Sequence, residues 1–224
     1  VNASDKFTNT ATGNLTGKTG VAITANDADV AGTVTAETGK ASVIAQNTAT
    51  ITGAVSGQDV ELEGKKGLTI NQGATVTATE GNATLKGSSI EQNGTVKAKQ
   101  NATLEGGTVT NSGSVTSTEG KVGVNASEKF TNTATGNLTG KGVSVDAKNI
   151  ETEKGSTIKA TETDVTLTAT DTLTNGGTVE AKRNAVLKGT NITNSGTVTA
   201  ETGNVGVNAS DKFTNTATGN LTGK

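Results

Sequence analysis

The 224-residue chain has no Cys, His, Met, Pro, Trp or Tyr, and three Phe are its only aromatic residues. Without Cys, no disulfide can staple the fold. Without His, Cys or Tyr, the usual bases and nucleophiles are missing. The lack of His and Cys also removes the common ligands of zinc. A compact core of this size normally fills its interior with large aromatics. Here the apolar side chains are almost all Ala, Val, Ile and Leu, so any interior must be narrow. Neither sign of charge is in excess: 19 basic and 21 acidic residues give a net charge of −2. They are mixed along the chain, and Arg183 is the single arginine, so the basic patch of a nucleic-acid binder is missing. No apolar run approaches the roughly 20 residues of a membrane helix, which argues against membrane insertion. Neither a signal peptide nor a lipidation site is visible. The missing initiator Met points to a window of a longer chain, and the missing Cys suits a protein that crosses membranes unfolded.

What is present is repetition. The string VNASDKFTNTATGNLTGK fills residues 1–18, returns unchanged at 207–224, and returns at 124–141 with Glu128 in place of Asp. Thr and Val, both strand formers, are frequent, and helical stripes are absent. The unit at 185–204 holds three short alternating runs. Period-2 alternation turns Ala185, Leu187, Ile192, Val198 and Ala200 inward and polar residues outward.

The other segments align with this unit. Positions equivalent to Leu187 are Val1, Ile23, Val43, Leu62, Leu85, Leu104, Val124, Val145, Leu167 and Val207. A second column joins Val198 to Leu15, Val34, Val55, Val76, Val96, Val115, Leu138, Ile158, Val179 and Leu221. A third is looser: Phe7, Leu68, Ile90, Val109, Phe130, Ile150, Leu173, Ile192 and Phe213. Two coils, near 28–30 and 49–51, fit it only with a shift. Three short strands per period of about 20 residues mark a solenoid. The expectation is therefore an all-β parallel β-helix of about eleven coils, with one thin continuous core. No linker or domain boundary interrupts residues 1–224, and neither end carries an atypical capping repeat.

The corners carry Asn-x-Gly: Asn71 with Gly73, Asn111 with Gly113, Asn175 with Gly177, and Asn194 with Gly196. Gly and Asn tolerate positive φ, which a tight corner can demand, and stacked Asn side chains can form a hydrogen-bonded ladder. Longer turns near 73–76 and 155–158, and between Asn132 and Gly136, must bulge.

The runs LTNGGTVEA at 173–181 and ITNSGTVTA at 192–200 resemble the haemagglutinin repeats of filamentous haemagglutinin and the stalks of contact-dependent inhibition toxins. The A-x-L-x-G segments at 83–87, 102–106 and 185–189 are similar to the same repeats. The resemblance covers nearly the whole chain. It implies a right-handed parallel β-helix in a large secreted or cell-surface exoprotein of Gram-negative bacteria, exported through an outer-membrane two-partner secretion transporter. The family's export and toxin or receptor-binding regions have no counterpart here. The lack of aromatics and the identical coils depart from the usual repeats, which keeps an engineered sequence open.

No catalytic, cofactor or metal constellation stands out. Glu61 and Glu63, followed by Lys65 and Lys66, and Glu151 and Glu153, followed by Lys154, read as solvated strand faces with local charge balance. Asp27 and Asp29 form the nearest acid pair and read as solvated loop residues. Outward Thr pairs (Thr33/Thr35, Thr75/Thr77, Thr197/Thr199) could form an ice-binding rank, but Lys97, Lys159 and Glu180 interrupt it. The sequence thus favours a non-catalytic rod whose partners are neighbouring coils of the same longer chain. The alternatives are a binding module that uses its flat outer faces for a receptor, glycan or ice, and a rod that self-associates end to end.

Overall fold

A computed structural model describes all residues 1–224. The chain winds through eleven coils, every strand pairing is parallel, and no helix forms. Each coil has three faces. The first and second belong to one 14-stranded sheet, and the third forms an 11-stranded sheet. Parallel strands of this kind require burial, and the closed cross-section supplies it on the inner side. At about 4.8 Å per coil the stack is roughly 50 Å long.

In coils 2–4 the three faces are separate strands. Coil 2, for example, consists of Val21–Ala25, Asp27–Val30 and Thr33–Ala36. From coil 5 the first two faces run on as one bent strand, such as Ala83–Gln92 or Ala185–Asn194. The bend absorbs length differences. Register slips there by one residue, for instance between Ala126 and Lys129 or between Thr168 and Thr172. Such bulges keep the pairing on either side in phase.

The first face stacks Ile23, Val43, Leu62, Leu85, Leu104, Val124, Val145, Leu167 and Leu187, all buried, with Val207 partly covered in coil 11. The third face stacks Val34, Val55, Val76, Val96, Val115, Leu138, Ile158, Val179 and Val198 in the same way. Small residues flank both columns, so the interior is a slot one or two side chains deep. Its contents form one continuous core of 50 buried residues.

The second face needs two corrections. No shift is required at coils 2 and 3, because Ala28 and Ala49 stand in register with Phe7 and Leu68. Their missing bulk is supplied two residues later by Val30 and Ile51, also buried. Those residues belong to a fourth inward column, of which the sequence showed only the stacked Asn members: Asn9, Val30, Ile51, Ile70, Gln92, Asn111, Asn132, Thr152, Asn175, Asn194 and Asn215. The residue of coil 4 in this column is thus Ile70, and Asn71 lies beyond it on the corner.

Candidate functional site

The fourth column sits at the corner between the second and third faces. From coil 6 onward it is a hydrogen-bonded ladder in two runs, coils 6–7 and coils 8–11. Asn111 Nδ2 donates to Asn132 Oδ1 at 2.8 Å. Asn175 donates to Asn194 at 2.7 Å, and Asn194 to Asn215 at 2.8 Å. Thr152 starts the second run by donating its hydroxyl to Asn175 Oδ1. Asn132 turns its amide to the carbonyls of Gly136 and Thr157. Buried amides of this kind are stable only when paired, and an axial stack pairs each with the coil above or below.

Directly after the ladder comes a second column, of small residues: Gly13, Gly32, Gly53, Ala74, Gly94, Gly113, Gly136, Ser156, Gly177, Gly196 and Gly219. The reason for glycine here is proximity. At Gly113, Gly177 and Gly196 the φ angles are negative, so the expectation of left-handed backbone at these corners fails. A Cβ on Gly113 would instead lie 2.1 Å from the Gly94 carbonyl oxygen, and one on Gly196 would lie 2.0 Å from that of Gly177. Only Gly73 (φ 85°) and Gly155 (φ 100°) adopt left-handed backbone. Each precedes the column's two non-glycine members, Ala74 and Ser156.

Corner length sets the outer relief. Coils 2, 3, 5, 6, 9 and 10 turn with two residues, whereas coils 1, 4, 7, 8 and 11 turn with four. The longer corners are β-turns closed by Gly13 N–H to Thr10 O at 2.8 Å, Ala74 to Asn71 at 3.0 Å, Gly136 to Thr133 at 2.7 Å, Ser156 to Glu153 at 3.1 Å and Gly219 to Thr216 at 2.9 Å. Long corners stand proud and short ones lie low, so pairs of coils form notches. One notch, of about 720 Å³, lies over coils 9 and 10 between Lys154 and Thr218. A second, of about 580 Å³, lies over coils 5 and 6 between Gln72 and Thr135. Neither has an apolar lining residue. The corner Thr of the 18-residue motif braces one wall of each: Thr135 donates to Ser112 O at 2.7 Å and Thr218 to Ser195 O at 2.9 Å.

The opposite corner, before the first face, carries its own ladder to backbone. Asp59 Oδ1 accepts from Asn82 N–H at 2.7 Å, and Asn82 Oδ1 from Asn101 N–H at 3.0 Å. Asp164, Asn184 and Asn204 repeat the arrangement. The sequence reading assigned these residues no structural role. Their signal is an Asp or Asn placed just before each A-x-L run.

Charge is balanced along the axis and not within each coil. Glu61 pairs with Lys40 of the preceding coil, and Glu151 with Lys129 at 2.7 Å. Lys65, read above as a local partner of Glu61 and Glu63, donates instead to Gln46 at 2.6 Å. Lys159 and Glu180, which interrupt the Thr rank, face each other in register at 2.8 Å. Hydrogen bonding to Asp29, Glu80 and Glu180, reinforced by their charge, raises the pKa values of Lys6, Lys99 and Lys159. Asp27 is held below the usual carboxylate range by the Thr48 hydroxyl and then by the Thr48 N–H, so this residue caps the next coil. No three acidic, His or Cys side chains converge as a metal site, and no helix is long and apolar enough to cross a membrane.

Stacked parallel coils and continuous side-chain columns make this chain a β-solenoid repeat protein. No protein-family model, curated protein or solved structure matches it.

Proposed function

We propose that this chain is a stiff, non-catalytic segment of a stalk in a large secreted or surface-exposed bacterial adhesin or toxin-delivery filament, exported by two-partner secretion. One observation carries the reading: axial hydrogen bonding continues around the corners as well as through the strands. Examples are Gly32 N–H to Asn9 O, Thr33 to Gly13, Glu37 to Gly17 and Thr38 to Lys18, all between 2.9 and 3.2 Å. Bending such a rod must lengthen bonds on one side of every coil, so a load on its tip is transmitted to its base. The side chains support a mechanical role too. Acids are spread along the rod and many pair with lysines of adjacent coils, leaving no cluster poised for acid–base chemistry. The haemagglutinin-repeat resemblance supplies the bacterial context.

A second reading, a binding module for hydroxyl-rich ligands, is favoured by the polar notches over coils 5–6 and 9–10. Electron microscopy of the intact parent molecule on its source cells, labelled with an antibody to this segment, separates the two. A labelled rod much longer than about 50 Å, projecting from the surface, supports the stalk. Label on a free particle of that length without cell association overturns it.

A further inference from the structure

Residues 59–141 and 142–224 are blocks of equal length, and each contains four coils. Both run through the same order of corners: long, short, short, long. Both end in the same motif coil. Residues 121–141 and 204–224 differ only at Lys121/Asn204 and Glu128/Asp211, and neither pair points into the core.

Coil 7, which closes the first block, is covered by coil 8, which opens the second. Phe130 lies under Ile150, Leu138 under Ile158 and Val124 under Val145. Phe130 is 0% exposed as a result. Lys129 reaches Glu151 at 2.7 Å, and Lys141 reaches Glu162 at 3.2 Å. Asn149 donates to the backbone carbonyl of Glu128, a contact indifferent to whether position 128 is Glu or Asp. Coil 11 presents the same side chains in the same order, and there Phe213 is 41% exposed.

We propose that residues 142–224 are a docking cassette. The face that coil 8 turns toward coil 7 also fits coil 11, so a second copy of the cassette would continue the rod from coil 11 without a change of register. The copy's Ile150, Ile158 and Val145 would cover Phe213, Leu221 and Val207. Its Glu151 would pair with Lys212, and its Glu162 with Lys224. The partner recognised by this surface is therefore a coil of the 142–160 type, and the rod grows in four-coil steps of about 19 Å. Each step adds one further polar notch. The inference concerns how the rod is assembled and stands apart from its role as a stalk.

The test joins a second copy of 142–224 directly after residue 224 of the full chain. The protein has no Trp, so Phe213→Trp places a single indole at the junction, once in the extended chain and once in the original. Extension should shift the emission to the blue and lower acrylamide quenching several-fold. Strand content per residue, read by circular dichroism, should stay constant. Leu221→Trp gives a second reporter should an indole at 213 itself disturb the contact. Unchanged quenching at both positions, or a fall in strand content per residue, overturns the proposal.

Discussion

Coils 2 and 3 close the ladder corner with apolar side chains, and coils 5–10 close it with polar ones. In the first region small Ala28 and Ala49 stand beside large Val30 and Ile51. In the second, large Ile90, Val109, Phe130, Ile150, Leu173 and Ile192 stand beside Gln92, Asn111, Asn132, Thr152, Asn175 and Asn194, all buried. Coil 4 lies at the change-over and carries Leu68 and Ile70 together, with a longer corner. Strand pairing at this corner stays in step across the change-over. A solenoid corner therefore has two solutions that share one backbone, and they obey different rules. An apolar rung needs only volume, since it gains about 25 cal/mol per Å² wherever it is covered. A polar rung contributes about 1 kcal/mol when paired and loses more when its partner is removed. It depends on the rungs either side of it.

The columns common to both regions should be the most sensitive. Leu187→Asp and Val43→Asp each place an unpaired charge in the slot between two coils, at a cost on the order of 4 kcal/mol or more. Both variants should melt far below the parent. Parent-like melting of either would remove that residue from the core. A more discriminating pair acts at the ladder corner itself. Ile51→Asn puts an amide between Val30 and Ile70, which offer no side-chain partner, and should cost about 3 kcal/mol. Asn175→Ala strands the Thr152 hydroxyl and Asn194 Oδ1, and should cost about 2 kcal/mol. If Ile51→Asn were neutral in urea denaturation, the two kinds of corner would be interchangeable rung by rung, and the contrast drawn above would collapse.

The parallel solenoid, its period and its first and third faces can be read from the sequence because each rests on a column of large apolar residues at fixed spacing. The fourth column cannot be read in that way. It alternates between Val, Ile, Gln, Thr and Asn, so no hydrophobic pattern reveals it, and only cross-coil pairing shows that Ile70 and Asn111 are equivalent. Asn71 does lie on a corner, but it is not the equivalent of Asn111. Its Asn-x-Gly motif looks like that of Asn111 with Gly113, but coil 4 has two extra corner residues and puts Ile70 on the ladder. The long corners were legible, since the extra residues near 73–76, 155–158 and between Asn132 and Gly136 required bulges, but the notches depend on how those corners stack over the short ones, and no motif marks that. Axial ion pairs such as Lys129 with Glu151 lie a full coil apart in sequence, which made local charge balance the wrong expectation.

Corner glycines offer a finer test, because two physical causes predict different costs. Gly196→Ala drives a methyl into the Gly177 carbonyl, a backbone atom that cannot swing aside. The loss should be on the order of 2 kcal/mol. Gly73→Ala meets nothing within 4 Å but must hold φ near 85°, a strain of about 1 kcal/mol. Thermal melts of the two variants should rank in that order. The reverse ranking would mean that backbone conformation, and not close stacking, selects glycine at the short corners.

The smallest effect, and the only one expected to stabilise, lies at the boundary between the two regions. Gln92 is the first polar rung above Ile70. Its Nε2 donates to Gly94 O at 2.9 Å and Ser114 O at 3.2 Å, and its Oε1 accepts from Gly94 N–H at 3.2 Å. It thereby folds onto its own corner and leaves Asn111 Oδ1 buried with no partner. Asn194, on an equally short corner, shows what a shorter side chain can do: its Nδ2 reaches both the Gly196 carbonyl and the oxygen of the next rung. Gln92→Asn should therefore extend the ladder by one bond and satisfy Asn111. The gain from pairing the orphan acceptor, about 2 kcal/mol, is offset by one lost buried methylene, about 0.8 kcal/mol. The net stabilisation is about 1 kcal/mol, visible as a higher urea midpoint at constant slope. The same change made in an Asn111→Leu background has no acceptor to satisfy and keeps only the methylene loss, so it should destabilise. A gain that survived in that background would show that Gln92 is strained for some other reason, and that the polar ladder does not start where the apolar corner ends.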